Sequence, residues 1–485
     1  MRGKVPALLA GFAIAVTACG SSGGSKAAES AATQAPTATQ APATPATDAA
    51  APATDAATPA TDASGASGGG AVTIKYELWD SNQLPAYQAC AAAFEKTNAN
   101  IKVDVQQLGW DDYWQGITDG FVSGSGPDVF TDHLARYPEF AQTDQILALN
   151  DFVERDKVDT GQYFPGLADL WTTPDGKRFG LPKDWDTIAF TYNQQLLADA
   201  GIDAASLGKL DWNPKDGGSF EKLVAHLTTD EAGKRGDEAG FDKTKVKVYG
   251  YGFVGDGGAN GQTEWSFFTG SNGWTYMDKP FWGTKYNYDD PKFVETIAWV
   301  QSLIEKGYAP TLEQIKTSGH MDFFKAKSSA LTSLGSWEIG DAVKAEFKVG
   351  FFPTPIGPTG KRASMFNGLA DSISKNTKHP EESWQWVKFL ASADCQNLVA
   401  DTKVVFPAIP AAAAKVKAGR LADGVDVSAF TIHVEDGTTF TFPIADHASD
   451  VNAVMTPAMQ AIFTGQGAAA DVLKKANADV NAIFG

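Results

Sequence analysis

Apolar and polar residues alternate along Ile101–Leu108 (IKVDVQQL), the two-residue period of a strand with one buried face. Val72–Trp79 (VTIKYELW) predicts a strand before it. Between the two, Pro85–Lys96 carries a helical pattern. Tyr113–Val122 predicts a second helix, and Asp128–Phe130 a short buried strand after the Gly126–Pro127 break. Strands and helices in alternation predict α/β units around a largely parallel sheet. Ligands of such sheets sit beyond the carboxyl ends of the strands. The residues just after Trp79 and after Phe130 are therefore the first candidates for a site.

The patterned part of the chain begins near Val72 and runs to Gly485. Its length, about 415 residues, exceeds what one core supports and predicts two lobes. The residues before it have a different character. Arg2 and Lys4 precede an apolar run, Val5–Ala18, that is shorter than the roughly 20 residues needed to cross a bilayer and fits the core of a signal peptide. Residues 20–70 are low in complexity. From Ala31 to Ala63 all but five positions are Ala, Thr or Pro, and Pro-Ala-Thr-Asp recurs at 45, 52 and 59. Proline at this density forbids helix, and no large side chain is present to form a core or a coiled-coil seam. The segment is expected to be a spacer, reaching roughly 40 Å as a coil and up to about 150 Å as polyproline II.

Three cysteines are present, Cys19, Cys90 and Cys395. Export permits a disulfide. Cys90 and Cys395 each lie among small apolar residues in helix-like segments, and buried free thiols are the expectation. There is no CxxC pair and no HExxH, so no metal site and no cofactor is expected. The formal charge of −18 and the lack of a Lys/Arg run exclude nucleic acid as a partner. The loop Gly255–Gly261 (GDGGANG) lacks the alternating acids and closing Glu of a calcium loop. It is expected to be a cleft loop, contributing at most through Asn260 or Glu264.

An ordered series of short motifs resembles the bacterial extracellular solute-binding family that includes maltose-binding protein. Trp79-Asp80 follows the first strand. Ser123–Val129 matches the family's run of small residues before Pro-Asp-Val. Gly180-Leu181-Pro182 leads to Tyr192-Asn193, Phe323–Ala330 precedes Gly335-Ser336-Trp337, and Pro353–Pro358 precedes Phe366-Asn367-Gly368. Ser383–Trp386 opens a helix. Val16-Thr17-Ala18-Cys19-Gly20 resembles the lipobox of bacterial lipoproteins, which implies that residues 1–19 are a lipoprotein signal peptide with its lipobox and that Cys19, lipid-modified, becomes the new N-terminus. The resemblance implies an α/β, two-lobe periplasmic-binding-protein-like fold with a hinge and an interlobe cleft. Lobe 1 would comprise about 71–187 and 366–415, and lobe 2 about 188–355 and 425–485. Crossovers are expected near Asp186-Thr187, Pro355–Asn367 and Ala411–Asp436. It also implies a lipid-anchored, extracytoplasmic, non-catalytic monomer that hands a small molecule to the permease of an ABC importer.

A pyranose has apolar faces that suit indoles and hydroxyls that suit carboxylates and amides. Many of the 13 tryptophans stand beside such groups. The candidate ligand contacts are Trp79, Asp80 and Asn82 after the first strand, Thr131 and Asp132 after the third, Trp185 and Asp186 at the first crossover, Trp274, Trp337 with Glu338, and Asn367. Asp186 stands six residues before Tyr192-Asn193, the spacing of an acidic ligand residue in maltose-binding protein. Trp110, Trp114, Trp299, Trp384 and Trp386 sit in or beside helical patterns and are assigned to packing. Asp128 reads as a structural cap, and His133 as a turn residue. The expected ligand is a carbohydrate, an oligosaccharide first. A polyamine is the alternative within the same fold, because Trp and Asp together also suit a cation. A secreted glycoside hydrolase using Asp80 and Asp186 is a further one.

Overall fold

The computed structural model describes residues 71–485, so the signal peptide, Cys19 and the spacer 20–70 lie outside the described residues. Two sheets organise the rest. The first has the strand order Ala370–Ile373, Val129–Asp132, Val72–Leu78, Ile101–Gln107. Its three N-terminal strands run parallel, as the alternation of strand and helix predicts. The fourth, Ala370–Ile373, returns from far along the chain and pairs antiparallel. Helix Leu84–Thr97 starts at a proline in its first turn, and helix Trp110–Ser123 stops at Gly124 in the left-handed conformation (φ +71°). The second helix buries Tyr113, Trp114, Ile117 and Gly120, one stripe at helical spacing.

The second sheet has the order Thr229–Asp230, Val246–Gly252, Ser329–Gly335, Ile188–Asn193, Val349–Pro353. Three of its four pairings are antiparallel, and only Val246–Gly252 beside Ser329–Gly335 is parallel. The expectation of a largely parallel architecture therefore holds for the first sheet and fails for the second. The two central strands, Ile188–Asn193 and Ser329–Gly335, are buried at every position. Residues hidden on both faces carry no alternation to read.

Two extended segments run between the sheets. Lys183 N donates to Leu369 O at 3.0 Å, and Asp186 N to Asn367 O at 2.9 Å. Asp184–Trp185 also pairs antiparallel with Phe406–Pro407. Later in the chain, helix Pro410–Ala422 packs on helix Ala393–Thr402, and helix Ser428–Glu435 packs on strand Val349–Pro353 of the second sheet. Strand Thr439–Thr441 then pairs with Ser364–Phe366.

Cys90 and Cys395 form a disulfide, with Cα atoms 5.2 Å apart. This overturns the expectation of two free thiols. The bond ties helix Leu84–Thr97 to helix Ala393–Thr402, which pack on each other although 305 residues separate the two sulfurs in sequence. Asp128 is structural, as expected. Its carboxylate accepts from Lys75 N and from the Thr377 hydroxyl. Among the described residues no helix is long and apolar enough to cross a membrane.

Candidate functional site

The strands of both sheets end at one place. Val72–Leu78 is followed by Trp79 and Asp80, and Val129–Asp132 by His133. Ile101–Gln107 leads within three residues to Trp110, and Ser329–Gly335 within two to Trp337. Val246–Gly252 leads into the glycine-rich loop. These residues line two adjoining cavities of about 400 Å³ and about 780 Å³ that share Trp110, His133, Gln262 and Trp337. The location beyond carboxyl ends of strands is the one topology favours.

The smaller cavity is walled by four indoles, Trp79, Trp110, Trp185 and Trp337, and by Asp80, Asp184, Asp186 and Asn367. Trp79 and Trp110 stand edge to face with centroids 5.1 Å apart, and both pack on Trp114. Trp110 keeps 47 % of its surface exposed. It is the first residue of its helix, so it has no preceding turn to cover it. Its assignment to packing is therefore corrected: it is a wall of the cavity. Trp337 lies across Gly335, where a Cβ would come within 2.0 Å of the indole. Only glycine admits that close approach. Glu338 accepts from Gly335 N and holds this turn, and its other oxygen lies 2.7 Å from His320 Nε2 in the larger cavity. Burial opposes a charge on His320, yet Glu338, Glu264 and Asp341 together raise its pKa.

Asp186 bridges the sheets, for its Oδ1 accepts from Gln262 Nε2 at 2.8 Å. Burial raises its pKa well above the carboxylate range, and the neighbouring Asp184 adds to this. Asp184 Oδ1 accepts from Leu369 N, while Oδ2, shielded from water, has no donor among the described residues. Trp185 Nε1 likewise has no partner among the described residues. Burial forces the His133 pKa down to about 3, helped by Arg136, so the ring is neutral. Its Nδ1 accepts from Ala135 N, which puts the proton on Nε2, 3.1 Å from the side-chain amide of Asn367. The amide oxygen must then face the imidazole, leaving the NH2 free to donate elsewhere.

Of the predicted residues, Trp79, Asp80, Trp185, Asp186, Trp337 and Asn367 meet at the smaller cavity, and Glu338 lines the larger one. Four do not join them. Asn82 is exposed in the turn after Asp80, where its N–H caps the Asp80 carboxylate. Thr131 and Asp132 are still within the sheet, paired with Ala370 and Asp371, and are buried. The Thr131 hydroxyl belongs to a fully buried cluster with Tyr76, Lys183 and Asp371, and Asp132 accepts from Ser372. Trp274 is packed against Phe293, centroids 4.3 Å apart, and borders a separate groove with Phe440 and Pro443. Its indole N–H is satisfied by Asn287 O. In place of these, the structure brings in His133, Asp184, Gln262 and Trp110. Asp184 and Gln262 stand beside residues already singled out, but neighbouring positions on a chain carry no sign of which way each side chain points. Among the described residues no group of three or more His, Cys, Asp or Glu is gathered as a metal site.

The family model for bacterial extracellular solute-binding proteins matches residues 80–397. A binding protein of Brucella abortus is 24% identical over 432 residues, covering 86% of this chain and 93% of its own. The maltooligosaccharide ABC transporter solute-binding lipoprotein of Streptococcus pneumoniae is 24% identical over 369 residues, 74% of this chain and 76% of its own. Among solved structures, the ABC substrate-binding protein Lmo0181 of Listeria monocytogenes, in complex with cycloalternan, superposes with a TM-score of 0.73 at 19% identity. The match spans 85% of this chain and 99% of that one. With strand ends of two sheets converging on one cleft and a family match over most of the patterned chain, this protein belongs to the bacterial extracellular solute-binding proteins and has their two-lobe α/β fold.

Proposed function

We propose that the chain is the extracytoplasmic binding subunit of an ABC importer and captures an oligosaccharide between its lobes, without catalysis. The observation that carries this reading is the joint wall of four indoles and three carboxylates, with contributions from the carboxyl ends of strands in both sheets. Indoles cover the C–H faces of a pyranose, and carboxylate and amide groups take its hydroxyls. The two adjoining cavities offer room beyond a single ring. The Brucella relative is named as a binding protein, and the pneumococcal one as a maltooligosaccharide ABC transporter solute-binding lipoprotein.

Lobe 1 is taken as about 71–187 with 366–415, and lobe 2 as about 188–355 with 425–485. Each sheet draws its strands from one of these sets. Ligand that touches both sets stabilises the closed arrangement by its differential affinity. The Asp186–Gln262 bond already spans them. Cys19 is the proposed lipid attachment point, with residues 20–70 as the tether and the permease as the partner that reads the closed form.

The test is a thermal-shift screen of α- and β-linked oligosaccharides and polyamines, followed by intrinsic tryptophan fluorescence titration. A micromolar or tighter saccharide ligand, worth about −8 kcal/mol, that is recovered chemically unchanged is the expected result. Turnover of the saccharide, or binding of polyamines alone, would refute the reading.

A further inference from the structure

The smaller cavity has an unbalanced wall. Asp80, Asp184 and Asp186 line it, and no lysine or arginine is among the described residues that do. His133, its one imidazole, is held neutral by burial. Two more carboxylates, Asp132 and Asp371, are buried at the ends of the adjoining strands. Lys183, next to Asp184 in sequence, is taken up elsewhere. Its ammonium contacts Asp371, Tyr76 and Thr131 and lies 4.1 Å from the Tyr87 ring centre. Arg136 lines only the neighbouring cavity, bonded to Ser449 and set over the Trp114 ring.

The acids of the cavity are also unequal. Both Asp80 oxygens are occupied, by Asn82 N and Gln83 Nε2. Asp186 has Gln262. Asp184 is 3 % exposed and its Oδ2 has no donor among the described residues. An unpaired carboxylate oxygen out of water is a standing cost to the fold that a donor would relieve. The amides of Gln83, Gln262 and Asn367 and the Trp185 N–H can serve a sugar's hydroxyls, but every charge-bearing side chain of this wall is a carboxylate, set among indole faces with no cation among the described residues to balance it. Acid and indole together are the surroundings that favour a cation.

We propose that this cavity selects a saccharide bearing a protonated amine, with Asp184 as its ion-pair partner and the surrounding indoles packed about the ammonium. The inference rests on the sugar-binding reading above and names the ligand class within it. Burial lifts Asp184 to about 6 against the charge of Lys183, with Asp371 and Asp80 adding to the rise. An ammonium placed beside it therefore displaces a proton, and binding near that pH releases protons to the buffer.

The test uses the full chain and matched mono- and disaccharides, α- and β-linked, each as the hydroxyl, amino and N-acetylamino form. Calorimetry at low salt near pH 6 is run in two buffers of different ionisation enthalpy. The expected result is at least about tenfold tighter binding of an amino form than of its hydroxyl and N-acetylamino counterparts. That preference shrinks with added salt and is accompanied by proton release. In Asp184→Asn the ratio of amino to hydroxyl affinity falls toward unity. Hydroxyl forms that bind as tightly as amino forms overturn the proposal and leave the sugar reading intact, and so does a preference without proton release. Binding of spermidine with no binding of any saccharide overturns both. If Asp184→Asn fails to fold, the salt and buffer dependence of the natural chain decides alone.

Discussion

The indole of Trp185 lies face to face with the ring of Phe406, centroids 4.7 Å apart and planes 12° from parallel. Trp185 faces the cavity, and Phe406, 1 % exposed, backs it from the short strand that pairs with Asp184–Trp185. The position of one cavity wall is thus set by a residue more than 200 positions away.

Phe406→Ala removes that backing. It is expected to cost about 3 kcal/mol of stability through the void it leaves and to weaken ligand binding as Trp185 loses its fixed orientation. Denaturant unfolding and fluorescence titration measure the two effects. Unchanged affinity in the folded variant would show that Trp185 holds its position without Phe406.

Trp110 and Trp274 separate cavity wall from core. Trp110→Ala is expected to weaken ligand binding about tenfold with little loss of stability, since the side chain is half exposed. Trp274→Ala, from a buried site, is expected to cost about 3–5 kcal/mol of stability and to leave the ligand contacts of the folded protein in place. Paired melting and binding measurements check both, and the reverse pattern would return Trp274 to the site.

The disulfide joins helices from distant parts of the chain. Cys90→Ser with Cys395→Ser is expected to destabilise the protein by about 2–4 kcal/mol, as a long closed loop is released in the unfolded state. The natural chain should respond to reductant in a denaturation experiment and the double variant should not. Equal midpoints with and without reductant in the natural chain would argue against the bond.

Burial pushes the Asp132 carboxyl up to about 7, against hydrogen bonds from Ser372 and from His133 N. The folded chain holds this proton more tightly than the unfolded chain does. Its contribution to stability is complete below the ordinary carboxylate pKa near 4 and is lost as pH rises through about 7. Asp132→Asn keeps an acceptor for His133 N and removes the titration. Between about pH 5 and pH 8 it should flatten the fall in stability by roughly 2 kcal/mol, read from denaturation midpoints across that range. An unchanged slope would mean that Asp132 titrates in the ordinary carboxylate range.

The parts of the site legible in the sequence are those fixed by local pattern. Trp79-Asp80 closes the first strand, the glycine-rich loop follows Val246–Gly252, and both line the cleft. Asp186 and Asn367, singled out at separate crossovers, are paired through their backbones. His133 was hidden because burial, which keeps the ring neutral and bonded to Asn367, leaves no trace in the run Thr131-Asp132-His133. Gln262 carries no signal beyond its place after Gly261, although its amide spans to Asp186.

The sequence by itself determined the parallel units of the first sheet through local periodicity and punctuation, the expectation of two lobes through the length of the patterned part, and the low-complexity segment through composition, none of which needs knowledge of distant contacts. Only the tertiary structure decided which indoles are walls and which are core. It also decided that Cys90 meets Cys395, that Ala370–Ile373 closes the first sheet antiparallel, and that Thr131 and Asp132 stay inside it. The physical reason is that burial is a property of what packs against a residue. For Trp110, Trp274 and the two cysteines, that partner is set by the assembled fold and not by the residues on either side.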